Sequence, residues 1–473
     1  MRPTGPPGSV GVLALAVFMS SLDLFIVNLA FPYIGREYHA TSLGSLSWVL
    51  NAYTIAFAAM LVPAGRWADR VGRRRIFVAG LIGFSLGSAL CGLSRGVPEL
   101  IAARIIQAAG AGLMVPASLS LLLASVPASG RAKAIGTWSA FGALGAALGP
   151  VIGGSLVQLS WRWVFWINIP VGVLAVLLTA RVVPESKDQH TRGRPDLAGA
   201  MLLAGAVGLV AFALVKAPDL GWGSPRFLEV MAASVACGAI MIWRSRQHHS
   251  PVIELGLLRS RTFSGTFAAS ILYYAAFGAF VLNSAEFLTG VWHYSAIRAG
   301  LAIGPGPLMV LPFARVIAPR LATRLGGPGR VAVIGCLVNA GAMALWLSQI
   351  QAQPAYLTRL LPAQLFFGAG VGLTIPSLLG AGSVSLSPDR FGTGSGILNM
   401  ARQAGTVLGV AALVAILAHV SPDPVTTFRH AIVLIIGFLA AAGLVAAFLL
   451  TGKAGSPPVP AAAAAATPVE ETR

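Results

Sequence analysis

Among the ionisable residues inside otherwise apolar stretches, three are candidates for proton chemistry: Asp23 in SLDLFIVNLAFP, Arg104 in ELIAARIIQAAGAG and Glu286 in VLNSAEFLTG. An isolated charge inside a bilayer is costly, so such a group must be paired, protonated or in contact with water. At about 1.5 Å per residue, Asp23 lies roughly a dozen ångströms below the outer end of its stretch. Arg104 enters from the outer side and reaches a similar depth. The two can face one cavity as an ion pair or proton relay near the membrane centre; equally, Arg104 can brace backbone carbonyls while Asp23 caps a helix break. If they are paired, movement of one relative to the other would change whether the carboxyl group holds a proton. Glu286 falls near the outer end of its stretch, which suits the rim of a cavity as well as a coupling role.

These residues need a scaffold that crosses the membrane many times. A spanning helix takes about 20 mostly apolar residues, and the sequence divides into about fourteen such stretches. Their cores are 11–33, 47–66, 76–94, 98–122, 133–157, 163–181, 198–216, 227–243, 264–289, 298–319, 331–349, 357–384, 394–418 and 429–451. An even number puts both termini on one side. The first stretch has no small-residue cleavage pattern after it and reads as a retained helix. Residues 454–473, rich in Ala, Pro and Thr, read as a disordered cytoplasmic tail.

Composition supports the same class. Hydrophobic residues make up 56% of the chain and charged residues 10%, against roughly a quarter charged in an ordinary soluble domain. A formal net charge of +18 would suggest nucleic acid if the protein were soluble. Here the basic residues gather in short gaps between apolar stretches, among them Arg66, Arg70, Arg73, Arg74, Arg75, Arg192, Arg194 and Arg390. With the N-terminus inside, the inner gaps hold more than twice as many as the outer ones, as topology signals do. Cys91, Cys237 and Cys336 each sit in an apolar stretch without metal-ligand spacing and read as buried thiols. No nucleotide-binding loop of the GxxxxGK[ST] type, no HExxH and no nucleophile triad is present, so the sequence points to neither ATP drive nor an enzyme.

An internal repeat accompanies this pattern. GRWADRVGRRRIFVAG from Gly65 aligns with PRLATRLGGPGRVAVIG from Pro319, matching Arg66 to Arg320, Ala68 to Ala322, Arg70 to Arg324 and Gly72 to Gly326. A direct repeat is expected of a transporter with two parallel halves. The loop reads as a gating latch built on Gly65, Asp69, Arg70, Gly72, Arg73 and Arg74, the glycines permitting tight turns and close packing; a solvated basic loop is the simpler reading. In the fifth stretch, Gly145, Gly149 and Gly153 recur every four residues beside Pro150 and Gly154. That spacing lets helix backbones approach closely. Polar and aromatic residues at mid-membrane depth are candidates to line a substrate cavity: Asn28, Asn51, Tyr53, Gln107, Trp138, Phe141, Asn283, Asn399 and Gln403. An apolar, aromatic pocket of this kind suits amphipathic ligands.

Together these segments resemble the fourteen-helix drug:proton antiporter family of the major facilitator superfamily. Gly65 to Arg75 looks like the superfamily's loop between helices two and three. Asp23 with Asn28, Ala30 and Pro32 is similar to the family's first-helix motif, and Arg104 with Gln107 and Gly110 to its fourth-helix motif, with Ala108 where a glycine usually follows the glutamine. Gly145 to Gly154 resembles the fifth-helix antiporter motif, and WRWVFWINIP, Trp161 to Pro170, the entry to the sixth helix.

The resemblance implies an all-α integral membrane protein of the major facilitator fold, with six-helix halves at 11–183 and 263–452. Two extra helices and their loops would occupy 184–262, with a cytoplasmic N-terminus at 1–10 and a tail at 453–473. It implies proton-driven efflux of amphipathic drugs or antibiotics, without a cofactor. Asp23 and Arg104 would serve in coupling, with Glu286 as the second half's sole acidic candidate, and the fifth helix would prevent leakage. The expected partners are the small-molecule substrate, protons and the lipid bilayer, with no nucleic acid, in a monomer. The expected location is a bacterial cytoplasmic membrane with both termini inside. An importer or exporter of one metabolite on the same fold is the alternative.

Overall fold

The computed structural model describes residues 9–39, 42–126, 131–187, 195–249, 251–384, 386, 391–418 and 423–451. The proposed tail at 453–473 and Arg192, Arg194 and Arg390 lie outside the described residues. Among the described residues, fourteen helices are long and apolar enough to span a membrane, one for each apolar stretch. The first six are α1 (Ser9–Leu29), α2 (Leu43–Val71), α3 (Arg73–Leu93), α4 (Val97–Ser125), α5 (Arg131–Leu159) and α6 (Trp163–Val182). Then come α7 (Leu197–Leu220) and α8 (Pro225–Gln247). The last six are α9 (Arg261–Val291), α10 (Ala296–Leu325), α11 (Pro328–Gln349), α12 (Tyr356–Ser383), α13 (Phe391–Leu417) and α14 (Pro424–Leu450).

Local chemistry sets the breaks. α1 tightens into a 3-10 turn at Val27–Leu29, and the chain restarts as a short helix, Phe31–Glu37, with Pro32 in its first turn, where a missing N–H costs nothing. Between α2 and α3 the chain turns on Gly72 at φ 134°, a conformation side chains rarely adopt. The corresponding turn between α10 and α11 uses two glycines, Gly326 at φ 74° and Gly327 at φ 143°. Gly327 directly precedes α11 as Gly72 directly precedes α3. The conformational counterpart of Gly72 is therefore Gly327, one residue beyond the match drawn from sequence.

Helix packing repeats between the halves. In the first half α1 packs on α4, α5 and α6, α2 on α4, and α3 on α4 and α6. In the second, α9 packs on α12, α13 and α14, α10 on α12, and α11 on α12 and α14. Adding eight to each helix number turns one set into the other. The halves meet along two seams, α2 with α13 and α5 with α10, which the same operation exchanges. α7 and α8 pair with each other, and α7 lies against both α2 and α13, so the inserted pair flanks one seam.

The apolar cores show where the halves are joined. At the end carrying the α1–α2 junction, here the far end, one cluster unites Ile26, Phe31 and Val49 of the first half with Phe287, Leu288 and Ala296 of the second, and it runs on within the second half through Tyr273 to Ala332. Toward the near end, where α1 begins, the halves keep separate clusters around Phe77 and Leu121 and around Ala318 and Val331. A fourth cluster bridges them on one flank, joining Val62 of α2, Leu203 of α7 and Ile397 of α13.

Candidate functional site

Asp23 and Arg104 form an ion pair, with Arg104 Nη1 donating to Asp23 Oδ2 at 2.5 Å and both side chains 0% exposed. Gln107 lies one turn after Arg104 on the same face of α4, as a three-residue spacing requires. Its Nε2 donates to Asp23 Oδ1 at 2.8 Å, while its Oε1 accepts from Arg104 Nη1 at 2.7 Å. Asn168 Nδ2, from α6, donates to Asp23 Oδ1 at 3.1 Å. Gln107 and Asn168 both donate to Ser88 Oγ of α3, at 3.2 and 3.0 Å, and Ser88 passes its own hydrogen to the Phe165 carbonyl. Arg104 Nε donates to the Val49 carbonyl at 3.1 Å, and the guanidinium lies 3.9 Å from the centre of the Tyr53 ring, both on α2. Five helices thus meet at one carboxylate.

Glycine makes this convergence possible. A Cβ on Gly87 would stand 2.4 Å from the Gln107 nitrogen, and one on Gly110 would stand 2.2 Å from the Phe84 nitrogen. α3 and α4 are therefore in backbone contact, which brings Ser88 within reach of Gln107. Every contact to Asp23 is a donor, and Arg104 fixes the Gln107 amide with its oxygen toward the guanidinium. A proton on either Asp23 oxygen would point an O–H at an N–H. The site as built fits the carboxylate, and accepting a proton requires Arg104 or the amides to move.

The sequence expectation of an Asp23 and Arg104 pair at one depth agrees with this geometry, but the pair does not face a cavity between the halves. It is enclosed by first-half helices, and so are Tyr53 and Gln107, which polarity and depth alone had placed on the cavity wall. Asn28 donates to the Leu24 carbonyl one turn back, and Trp138 donates to Ser118 Oγ of α4. Among the described residues, Asn51 is buried with no partner for its amide nitrogen, and Asn283 is buried with none for either amide atom. Phe141, Asn399 and Gln403 are half-buried. Glu286 is half-buried near the far end of α9, with no ion-pair partner among the described residues.

The loop after α2 bonds within the first half. Asp69 accepts from Arg73 Nε at 2.8 Å, the Arg73 amide donates to the Ser186 carbonyl, and the Arg74 amide donates to Glu185 Oε1 at 2.9 Å. A Cβ on Gly72 would meet only the Glu185 carboxyl, at 2.9 Å, and that flexible side chain can shift, so the glycine is required by its φ of 134°. A Cβ on Gly65, by contrast, would meet nothing within 4 Å, so the close packing expected there is absent; Arg70 is exposed.

α5 presents two glycine faces. A Cβ on Gly145, Gly149 or Gly153 would lie 2.5 to 2.7 Å from Phe18, Phe25 or Ile26 of α1. A Cβ on Gly154 would lie 2.4 Å from the Ala296 carbonyl of α10, and one on Gly300 would lie 2.1 Å from the Pro150 carbonyl. α5 is therefore in close contact with the helix bearing Asp23 and, one residue around, with the opposite half. The second half repeats the first of these faces: Gly405 and Gly409 of α13 press on Ile271 and Ala275 of α9.

This architecture has known counterparts. The family profile described as the Major Facilitator Superfamily matches residues 13–410. The chain belongs to the Major Facilitator Superfamily. It is 33% identical to the multidrug resistance protein Stp of Mycobacterium tuberculosis over 89% of this chain and 80% of that one. It is 33% identical to the puromycin resistance protein pur8 of Streptomyces alboniger, covering 86% and 80%. The methylenomycin A resistance protein of Streptomyces coelicolor is 31% identical over 88% and 87%. Among solved structures, a POT family transporter in complex with 5-aminolevulinic acid superposes with a TM-score of 0.69 at 15% identity, covering 95% and 99% of the two chains. The human organic anion transporter MFSD10 superposes at 0.62 and 16% identity, covering 93% and 100%. These two likenesses are of fold. As a member of the superfamily, the protein is a multi-pass membrane transporter.

Sequence reasoning missed three contributors and a fourth residue, Arg402 of α13, whose guanidinium lies 4.7 Å from the centre of the Tyr274 ring. Asn168 was visible as the polar residue in WINIP, and Arg402 as a cation within the apolar run NMARQAG. Ser88 and Glu185 carried no signal, because a serine in a helix and a glutamate at its end are common.

Proposed function

We infer that this protein exports amphipathic small molecules, drugs or antibiotics among them, in exchange for protons. The observation that carries the reading is the Asp23 site: a buried carboxylate held only by donors, so that taking up a proton must disturb its hold on Arg104. α1 bears Asp23, α5 is glycine-packed on α1, and α5 is also packed on α10 across the seam. Displacement of α1 therefore has a short mechanical route to the contact between halves. The resistance and export functions printed for the relatives support a drug or antibiotic as cargo.

The concentration of basic residues in the inner gaps supports a bacterial cytoplasmic membrane with both termini inside. In that orientation the far end is extracellular and closed by the shared core, and the separated cores face the cytoplasm. Substrate would enter from inside, and the α5–α10 seam would part for release. The loop built on Asp69, Gly72 and Arg73 would hold α2, α3 and α6 as one body during that movement. The gradient supplies the energy, with no cofactor, and one chain suffices.

The test is dye uptake by energised inverted vesicles containing the intact protein or Asp23→Asn, first with a pH gradient and then with an uncoupler. Uptake should follow the gradient and vanish in the variant at equal expression. A variant that transports like the intact protein would remove Asp23 from the coupling mechanism.

A further inference from the structure

The membrane spans hold a second arginine whose environment differs from that of Arg104. Arg402 lies 11 residues into α13, roughly 17 Å from its start at 1.5 Å per residue, which is near the middle of a hydrocarbon layer about 30 Å thick. Its Nη1 donates to Asn399 Oδ1 at 3.0 Å, one turn back, and its guanidinium lies 4.7 Å from the centre of the Tyr274 ring on α9. No carboxylate lies within ion-pair distance of it among the described residues. Arg104, by contrast, is neutralised and sealed. Arg402 is only half-buried, as are Asn399 and Gln403 beside it.

Its location is at the junction of the halves. α13 packs on α9 within its own half and on α2 and α7 across the seam. The Tyr274 ring lies 6.0 Å from Phe277, edge to face, and Phe277 lies 6.1 Å from Phe25 of α1 in the same manner. A line of aromatic faces thus runs from Arg402 to α1, ending two residues from Asp23. Arginine is always charged, and it binds carboxylates through paired, planar donors. A cation kept at mid-membrane depth beside aromatic rings, without a protein anion, offers a matched site for an aromatic anion.

We propose that Arg402, with Asn399 and Tyr274, is an anion-recognising subsite, and that the cargo class includes aromatic molecules bearing a carboxylate or phenolate. This rests on the exporter reading above and narrows it. Phe25, Phe277 and Tyr274 take the aromatic body and Arg402 the negative group, so the ligand touches the helix carrying Asp23. Export of an anion in exchange for a proton moves positive charge inward on both counts, so an inside-negative potential accelerates it.

Fluorescein and rhodamine 6G test this, because they share a xanthene ring and differ in charge. Anisotropy titrations on the purified full-length protein give the dissociation constant of each dye without a gradient. The intact protein should bind fluorescein more tightly. Arg402→Gln should weaken fluorescein about tenfold or more while changing rhodamine 6G less than twofold. Arg402→Lys, which keeps the charge but loses the paired planar donors, should recover only part of the affinity, above Arg402→Gln and below the intact protein, and its folding serves as the control for the position. Equal weakening of both dyes, no weakening of either, or a preference for rhodamine 6G in the intact protein would overturn the proposal. Gradient-driven uptake of the same dyes separates the two readings. Charge-selective binding without gradient dependence would sink proton exchange alone, whereas gradient-driven uptake indifferent to Arg402 would sink the subsite alone.

Discussion

Replacing Arg104 by Gln would leave the Asp23 carboxylate with only the neutral donors of Gln107 and Asn168. Both members of the pair are fully enclosed, so solvent does not screen the change. Breaking a buried pair from one side costs about 3–5 kcal/mol. Asp23→Asn costs a comparable amount for a different reason. Arg104 donates to one carboxylate oxygen and Gln107 and Asn168 to the other, so whichever position becomes the NH2 group confronts a donor. The double variant carries neither an orphaned charge nor the clash with a guanidinium, so its loss should fall short of the sum by about 2–3 kcal/mol. The four proteins form a double-mutant cycle, measured by equilibrium unfolding in mixed micelles. Additivity to within about 0.5 kcal/mol would refute the claim that Asp23 and Arg104 stabilise each other directly.

Gly154→Val would drive a side chain into the Ala296 carbonyl of α10. It should loosen the far-end seam and let protons leak through proteoliposomes without substrate, whereas Gly65→Ala, which meets nothing, should leave them tight. Gly72→Ala imposes a side chain at φ 134° against the Glu185 carboxyl and should cost more than about 1 kcal/mol; an unchanged melting temperature would show that the turn can rearrange. At the far end, Glu37 accepts from Arg162 Nη1 and Trp161 Nε1, each at 2.5 Å. Burial acts to raise the Glu37 pKa, but those hydrogen bonds and the Arg162 charge outweigh it and hold the carboxyl below the ordinary 4.5. A carboxyl whose folded value is lowered adds stability above its unfolded value and loses it as pH falls through the folded one. The melting temperature of the intact protein should therefore exceed that of Glu37→Gln at pH 7, and the two should converge as pH is lowered well below 4.5. A gap that persists in acid would mean the contact is not electrostatic.

Much of the fold was legible because the bilayer imposes local rules. The length of an apolar run decides whether a helix spans, and each of the fourteen runs became one. The direct repeat that matches Gly72 to Gly326 announced two equivalent halves, and the packing of α1–α6 recurs in α9–α14. The resemblance in the helix motifs likewise pointed to Asp23, Arg104 and the glycines of α5.

What the one-dimensional pattern did not decide is which way each side chain faces. Periodicity is a weak guide in a membrane, where a helix face turned to lipid is as apolar as one turned to a neighbour. Tyr53 and Gln107 therefore looked like cavity residues, whereas rotation of α2 and α4 placed them beside Arg104. Arg402 passed unnoticed between Asn399 and Gln403, although only the approach of α9 gave it the Tyr274 ring. The amino-acid sequence by itself determined the spanning helices, the repeat and the residues available for charge chemistry, because those follow from local composition. The tertiary structure alone decided that Asp23 is sealed among five helices and that Arg402 stands at the seam, because both depend on contacts between residues far apart in the chain.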